Sequence, residues 1–204
     1  MAELTVTTFV SVDGVMQAPG GPKEDTSGGF RYGGWVFPHA DQDMGAIIVE
    51  SFSKADAFLL GRGTYDIFAA HWPKATDPND PIASKLNALP KHVASRTRGS
   101  FQWHNSSAVR DVTAELASLK QRYKGELQVH GSAGLLQTLI QQDLIDEYRI
   151  FTFPVVLGAG KRLFGSSAAA GALTLEQSKT SAAGVIYSVY RRSGPVKTGS
   201  FAAE

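Results

Sequence analysis

The feature that most constrains the fold of this chain is a strand–turn–helix pattern that occurs twice. Apolar and polar side chains alternate over residues 127–130, the small-residue turn GSAG follows at 131–134, and leucines at helical spacing begin at Leu135. Residues 57–60 lead in the same way into the turn GRGT at 61–64. Strands that alternate with helices are typical of an α/β domain with a mostly parallel sheet.

Each of the two turns is a candidate anion site. The first turn of a helix carries backbone N–H groups without partners and the positive end of the helix dipole, and both favour phosphate groups. Neither turn is a complete G-x-G-x-x-G or G-x-x-x-x-G-K-[ST] motif, and glycine often marks a turn that has no ligand. The two turns together, one of them with Arg62, favour two contacts with one phosphorylated ligand.

Composition excludes several classes of protein. Lys and Arg total 20 against 19 Asp and Glu in 204 residues, without a basic run, which argues against nucleic-acid binding. The absence of cysteine excludes disulfides, cysteine zinc sites and a thiol nucleophile, and it suits a cytoplasmic protein. No basic segment precedes an apolar one at the start of the chain, and no apolar run approaches the roughly 18 residues of a spanning helix. We therefore expect neither a signal peptide nor a membrane span.

Periodicity predicts one domain over residues 1–192 and a polar tail over 193–204. Strands are expected at 4–12, 56–60, 91–95, 127–130, 147–157, 172–179 and 184–192, the last two as an antiparallel hairpin. Helices are expected at 41–53, from 64, from Asp80 as cap, at 112–123 and from 135. The glycine- and aromatic-rich stretch 17–38 is predicted to be a lid, because so long a loop in a compact domain is usually functional or disordered, and disordered segments are poor in aromatics.

Several segments together give the chain a resemblance to a known family. They are SVDG at 11–14, LLGRGTY at 59–65, SRT at 95–97, HGSAGL at 130–135, DE at 146–147 and PVVLGAG at 154–160. In this order and spacing the chain resembles the dihydrofolate reductase-like superfamily, and most closely the reductase half of the bifunctional riboflavin-biosynthesis deaminase–reductase and its stand-alone relatives. The resemblance implies a three-layer α/β/α fold with a mostly parallel mixed sheet and a C-terminal antiparallel hairpin. It also implies NADPH as cofactor, and it suggests a homodimer.

Carried over by position, the resemblance implies three parts of a dinucleotide site. Their residues are Gly61, Arg62 and Thr64, then Ser95, Arg96 and Thr97, and then Gly131, Ser132, Ala133, Gly134 and Leu135. The third part would cradle the pyrophosphate. Arg62 or Arg96 would face the 2′-phosphate, because a guanidinium matches the geometry of a phosphate.

The chain also departs from the pattern of its relatives. Those that reduce the riboflavin precursor usually carry an acidic residue just before the glycine turn, where this chain has His130. The H-x-E and P-C-x-x-C pattern of the zinc deaminase half is absent. The chain therefore looks like one of the stand-alone relatives, whose substrates are generally unassigned.

Two carboxylates are candidates for catalysis. Asp13 follows the first strand, beside the expected nicotinamide, and is the first candidate for both catalysis and substrate contact. Its alternative is a turn residue of the Asp-Gly pair. Glu50 is the second candidate, because the acidic residue of folate reductases lies on the corresponding helix, and its alternative is a solvated helix face.

Other side chains have weaker signals. Trp35, Phe37 and Trp72 could stack on a flat substrate or pack in the core or lid. His130 could relay a proton, but a strand-end histidine that points to solvent is favoured. The other four histidines show no metal-ligand spacing with one another, so no metal site is expected.

The sequence thus predicts a cytoplasmic NADPH-dependent reductase. It would transfer a hydride to a C=N or C=O bond of a small, heterocyclic substrate that is pterin- or pyrimidine-like. The alternative is a non-catalytic protein that binds a dinucleotide on the same fold.

Overall fold

An eight-stranded sheet runs through the computed structural model of the protein, which describes residues 1–201. The strands are β1 (Glu3–Ser11), β2 (Ala55–Gly61), β3 (Lys91–Ala94), β4 (Ser106–Val109), β5 (Glu126–His130), β6 (Glu147–Phe153), β7 (Ala172–Thr180) and β8 (Ile186–Gly194). Their order across the sheet is β4-β3-β2-β5-β1-β6-β8-β7. The first six strands in this order, β4 through β6, are parallel to one another. β8 is antiparallel to both β6 and β7. This confirms the predicted mostly parallel sheet with an antiparallel C-terminal hairpin.

Helices cover both faces of the sheet and make three layers. They are α1 (Gln42–Ser53), α2 (Arg62–His71), α3 (Pro81–Ala88), α4 (Val112–Gln121) and α5 (Ala133–Gln141). Leucines of α4 and α5 pack on one face against β1, β2 and β5, while apolar side chains of α1, α2 and α3 pack on the other. In the described part of the chain, no helix is long and apolar enough to cross a membrane.

The largest differences from the predicted elements concern β4, the end of β6 and the end of β8. β4 was not predicted, because the segment SSAV is short and half polar, and only its pairing with β3 makes it a strand. β6 ends at Phe153 rather than at 157, since Pro154 has no N–H to donate to the sheet. β8 extends to Gly194, so the predicted tail begins later. Residues 195–201 form no helix or strand, and positions 202–204 of that tail lie outside the described residues.

The loop 17–38 is anchored to the rest of the domain by Gln17. The Gln17 amide nitrogen donates to the carbonyl oxygens of Asp25 (3.1 Å) and Ser27 (2.9 Å), and its oxygen accepts from the Lys161 N–H (3.0 Å). The Trp35 indole donates to the Gln17 carbonyl at 2.8 Å. The second half of the loop thus packs into the apolar core, while residues 19–25 line a cavity. Whether the loop acts as a lid stays a prediction.

Candidate functional site

A cavity of about 1330 Å³ opens at the carboxyl ends of β1, β2, β3 and β5. β2 and β5 are neighbours, but from β2 the chain continues outward to β3, and from β5 it crosses to β6 on the other side. Such a reversal of direction in an open α/β sheet leaves a crevice in which ligands bind. The cavity therefore lies where the fold itself predicts a site.

The two predicted glycine turns meet in this cavity. The Ser132 Oγ lies 2.9 Å from the Thr64 Oγ1 and accepts a long hydrogen bond of 3.4 Å from the Thr64 N–H. A Cβ on Gly61 would lie 2.1 Å from the Ser132 Oγ, so only glycine allows this contact. Gly131 has a φ of +68°, a conformation that suits glycine. The turns are thus parts of one site.

The helices that begin at these turns differ from the others in how they start. Aspartates cap α1, α3 and α4 and accept hydrogen bonds from backbone N–H groups of the first turn. The corresponding residues of α2 and α5, Gly61 and Ser132, provide no such side-chain cap. Apart from the Thr64 N–H, which donates to the Ser132 Oγ, no N–H group in the first turns of α2 and α5 has a side-chain acceptor within the described residues. Such N–H groups at two adjacent helix starts form an anion site.

Cationic side chains surround the two turns. Arg62 and Arg96 line the cavity and are exposed, and neither guanidinium has an ion-pair or hydrogen-bond partner within residues 1–201. Arg110, which sequence reasoning did not identify, also lines the cavity and donates to the Ser95 carbonyl at 2.9 Å. The cavity brings together every residue predicted for the dinucleotide except Thr97.

Polar and aromatic side chains form the floor of the cavity. His130 stacks on Phe52, with 4.4 Å between ring centroids, and its Nε2 lies 3.0 Å from the Gln128 Oε1. Burial, and to a smaller extent the charge of Arg149, lowers the pKa of His130 to about 3. The expectation that His130 points to solvent is therefore wrong. At neutral pH it is uncharged and is a poor proton donor.

Both carboxylates proposed for catalysis lie outside the cavity lining. Asp13 accepts hydrogen bonds from the Ser11 Oγ (2.7 Å), the Leu157 N–H (3.0 Å) and the Gly158 N–H (2.9 Å). These hydrogen bonds, the one from Ser11 most of all, lower the pKa of Asp13 to about 2. The structure thus places Asp13 in the turn role that was its alternative, where it ties the end of β1 to the loop after β6.

Glu50 is likewise solvated. Its side chain is 58% exposed and lies 3.7 Å from the Lys54 Nζ and 3.9 Å from the Lys179 Nζ. Helix α1 instead contributes Phe52 to the cavity. Phe52 lies two positions after Glu50, about half a helical turn away, so the two side chains point to different sides of α1.

Of the three aromatic residues that could stack on a substrate, Trp35 and Phe37 do not line the cavity. Trp35 is buried against Phe153, with ring centroids 5.3 Å apart, and Phe37 is 81% exposed. Trp72, in contrast, lines the cavity together with Phe52. The sequence thus predicted Trp72 as a stacking candidate but did not identify Phe52.

The acid Glu24 is a cavity residue that the sequence did not reveal. Its carboxylate accepts from the backbone N–H groups of Gly20 (2.6 Å) and Gly21 (3.1 Å), and burial raises its pKa. No motif surrounds it. Within residues 1–201, no cluster of three or more His, Asp or Glu side chains could hold a metal ion.

Comparison with known proteins identifies relatives of this chain and structures that share its fold. The chain is 30% identical to uncharacterized protein YyaP of Bacillus subtilis (strain 168) over 156 residues, which are 76% of this chain and 82% of YyaP. It shares its fold with a proposed riboflavin biosynthesis protein from Shewanella sp. PV-4, with a TM-score of 0.70 at 22% identity over 95% of this chain and 99% of the other. Dihydrofolate reductase from Enterococcus faecalis, solved with NADP(H), aligns with a TM-score of 0.59 at 12% identity over 93% and 96%.

The family assignment comes from a match that spans most of the chain. Residues 2–187 match the model of the RibD C-terminal domain. This range runs from β1 into β8 and includes both glycine turns and every strand end that contributes to the cavity. The chain therefore belongs to the RibD C-terminal domain family and has the dihydrofolate reductase-like fold.

Proposed function

We propose that this protein is an NADPH-dependent reductase that transfers a hydride to a C=N or C=O bond of a small heterocyclic substrate. The observation that carries the proposal is the meeting, in one cavity, of two unpaired arginines and two helix starts whose own N-cap residues provide no side-chain cap. Membership of the RibD C-terminal domain family supports it, as does the likeness to a reductase that binds NADP(H).

The residues of the cavity fit a phosphorylated dinucleotide. The N–H groups at the starts of α2 and α5 would hold the pyrophosphate, and Arg62 or Arg96 would hold the 2′-phosphate. Ligand pockets commonly measure about 300–1,000 Å³, so a cavity of about 1330 Å³ has room for a dinucleotide and a second small molecule. When bound, NADPH would supply the hydride.

The chain itself would orient the reactants and exclude water. Phe52, Phe68 and Trp72 give the cavity an apolar wall that favours a dry site for hydride transfer. Glu24 is the acid in the cavity whose pKa is raised by burial, and it or a water would deliver the proton.

The test is a titration with NADPH and with NADH, followed by tryptophan fluorescence. We expect saturable binding, tighter for NADPH. Loss of a charge-assisted hydrogen bond costs about 1.5–3 kcal/mol, so Arg62→Ala or Arg96→Ala should weaken NADPH roughly tenfold to a hundredfold and NADH much less. Arg122→Ala, which changes an exposed arginine outside the cavity, is the matched control. If wild-type protein bound neither nucleotide, the proposal would fail.

A second candidate is a non-catalytic dinucleotide-binding protein on the same fold. It is favoured by the placement of Asp13 and Glu50 outside the cavity lining. Oxidation of bound NADPH in the presence of pterin and pyrimidine acceptors separates the two candidates. Turnover with any acceptor supports the reductase, whereas tight binding without turnover supports the second candidate.

A further inference from the structure

Two neighbouring side chains on the cavity floor carry polar atoms that the protein leaves without partners. Thr7 of β1 and His130 of β5 are register partners, so their side chains lie on the same face of the sheet, on strands about 4.8 Å apart. Thr7 is only 6% exposed. Its Oγ1 is the one buried side-chain polar atom without a hydrogen bond in the described part of the chain. Both residues line the cavity.

The hydrogen bonds behind His130 determine which of its nitrogens carries the proton. The Gln128 amide nitrogen donates to the Ser51 carbonyl and to the Glu126 Oε2, each at 2.7 Å. Glu126 forms an ion pair with Arg149, whose Nη2 lies 2.6 Å from its Oε1. Because both acceptors require the amide nitrogen, the Gln128 Oε1 faces His130 and must accept from it. The proton of the neutral ring is therefore on Nε2.

The other ring nitrogen is then an open acceptor. The His130 Nδ1 has no hydrogen-bond partner in residues 1–201, and it is not among the fully buried polar atoms without a partner, so it opens on the cavity. Burial keeps the ring neutral at ordinary pH. Beside this acceptor, the Thr7 hydroxyl can either donate or accept.

We infer that Thr7 and His130 form a subsite for the edge of a neutral heterocycle, with a ligand N–H donating to the His130 Nδ1 and an adjacent N–H or carbonyl group pairing with the Thr7 Oγ1. An amide or amidine edge of an aminopyrimidinone has this pattern. An anionic group does not fit, because the lone pair of Nδ1 repels it and the nearby Arg149 is occupied by Glu126 and Glu147. The inference rests on the proposed function only in taking this ligand to be the substrate.

The first test uses the cost of a buried hydroxyl. An unpaired buried hydroxyl destabilises a fold unless a ligand satisfies it. Thr7→Val, which keeps the shape of the side chain, should therefore keep or raise the unfolding temperature while it lowers affinity for isocytosine about tenfold. Thr7→Ser keeps the hydroxyl and should bind isocytosine within about threefold of wild type. Pyrimidine, which lacks N–H groups, should bind all three proteins equally weakly.

The second test observes the ring directly. The ¹⁵N shifts of His130 should report a proton on Nε2 and a free Nδ1, and added isocytosine should shift the Nδ1 resonance. His130→Phe keeps a ring against Phe52 but removes the acceptor, so isocytosine binding should be lost while NADPH binding remains. A proton on Nδ1, no isocytosine binding by wild type, or equal affinity of wild type and Thr7→Val would overturn the subsite. Absence of NADPH binding would instead overturn the proposed function and leave the isocytosine result standing.

Discussion

At the scale of single residues, the site depends on how closely two turns approach each other. Gly61 lies directly against Ser132, whereas Gly63 in the same turn has no atom within 4 Å of where its Cβ would be. Neither glycine has a positive φ. The two positions therefore differ in the room available for a side chain and not in backbone conformation. This makes them suitable for a paired comparison.

We expect Gly61→Ala to separate the two turns. Forcing a methyl group into a packed contact typically costs about 1–3 kcal/mol, so the free energy of unfolding should fall by that amount and NADPH affinity should fall at least tenfold. Gly63→Ala should instead raise the free energy of unfolding by up to about 1 kcal/mol, because alanine favours the helix, and it is the control for stability. Denaturant titration and NADPH titration measure the two effects. Equal behaviour of the two variants would contradict the predicted role of this contact.

Residues of the site were predictable where the signal is local. The turns at 61–64 and 131–135 combine a strand, small residues and a helix within one short segment, so the sequence alone identifies them. Asp13 was misplaced because a motif does not show which way a carboxylate points. Thr7 and His130 meet only through the pairing of β1 with β5, and no local pattern encodes that pairing.

At the scale of elements, the loop 17–38 depends on one glutamine. Gln17 is buried and makes two donor contacts inside the loop and one acceptor contact with the Lys161 N–H. The cavity-lining segment 19–25 lies between these contacts. Gln17 thus fixes this wall of the site together with the ion pair between Lys161 and Asp25, whose charged atoms lie 2.6 Å apart.

Gln17→Met keeps the length of the side chain but removes its hydrogen bonds. Each lost bond is worth about 0.5–1.5 kcal/mol, so amide exchange over 18–34 should accelerate roughly tenfold to a hundredfold, with little change in the strands. Gln142→Met, at an exposed position outside the cavity lining, is the control. Hydrogen–deuterium exchange measures the result, and unchanged exchange in the loop would show that other contacts hold it.

Elements were predictable when their own residues favour them. α3 begins at Pro81 after the capping Asp80, as the sequence indicates. β4 was missed because SSAV has little strand signal of its own, and it is a strand only because β3 offers its edge. Tertiary pairing of this kind overrides local propensity.

At the scale of the whole molecule, a buried polar row connects the cavity with the opposite end of the sheet. His130 contacts Gln128, which contacts Glu126, and Glu126 and Glu147 share the guanidinium of Arg149. Each of these side chains has a hydrogen-bond or ion-pair partner within the row, and only the His130 ring at the cavity end has a nitrogen without a partner in residues 1–201. Polar residues in a core conflict with simple burial, and such conflicts are expected where function requires them. The row thus links the stability of the central strands to the chemistry of the site.

The acid sensitivity of the whole fold should come partly from buried neutral histidines. His92 contacts the Ser107 Oγ (3.0 Å) and the Tyr123 hydroxyl (2.7 Å), and burial followed by the charge of Arg122 lowers its pKa to about 4. The unfolded chain binds a proton at His92 below about pH 6.5, whereas the folded protein does not until about pH 4. Stability therefore falls as the pH falls through this window.

Between about pH 7.5 and pH 5, His92 should remove about 2 kcal/mol of the free energy of unfolding. His130, with its lowered pKa, acts in the same direction. Denaturant titrations of wild type and His92→Gln at both pH values measure the difference, and the variant should lose less stability on acidification by about that amount. The quantity compared is the change in the free energy of unfolding between the two pH values. A destabilisation by the substitution that is the same at both pH values therefore cancels. If acidification destabilised both proteins equally, His92 would be protonated in the folded state, and its contacts with Ser107 and Tyr123 would have to differ from those described.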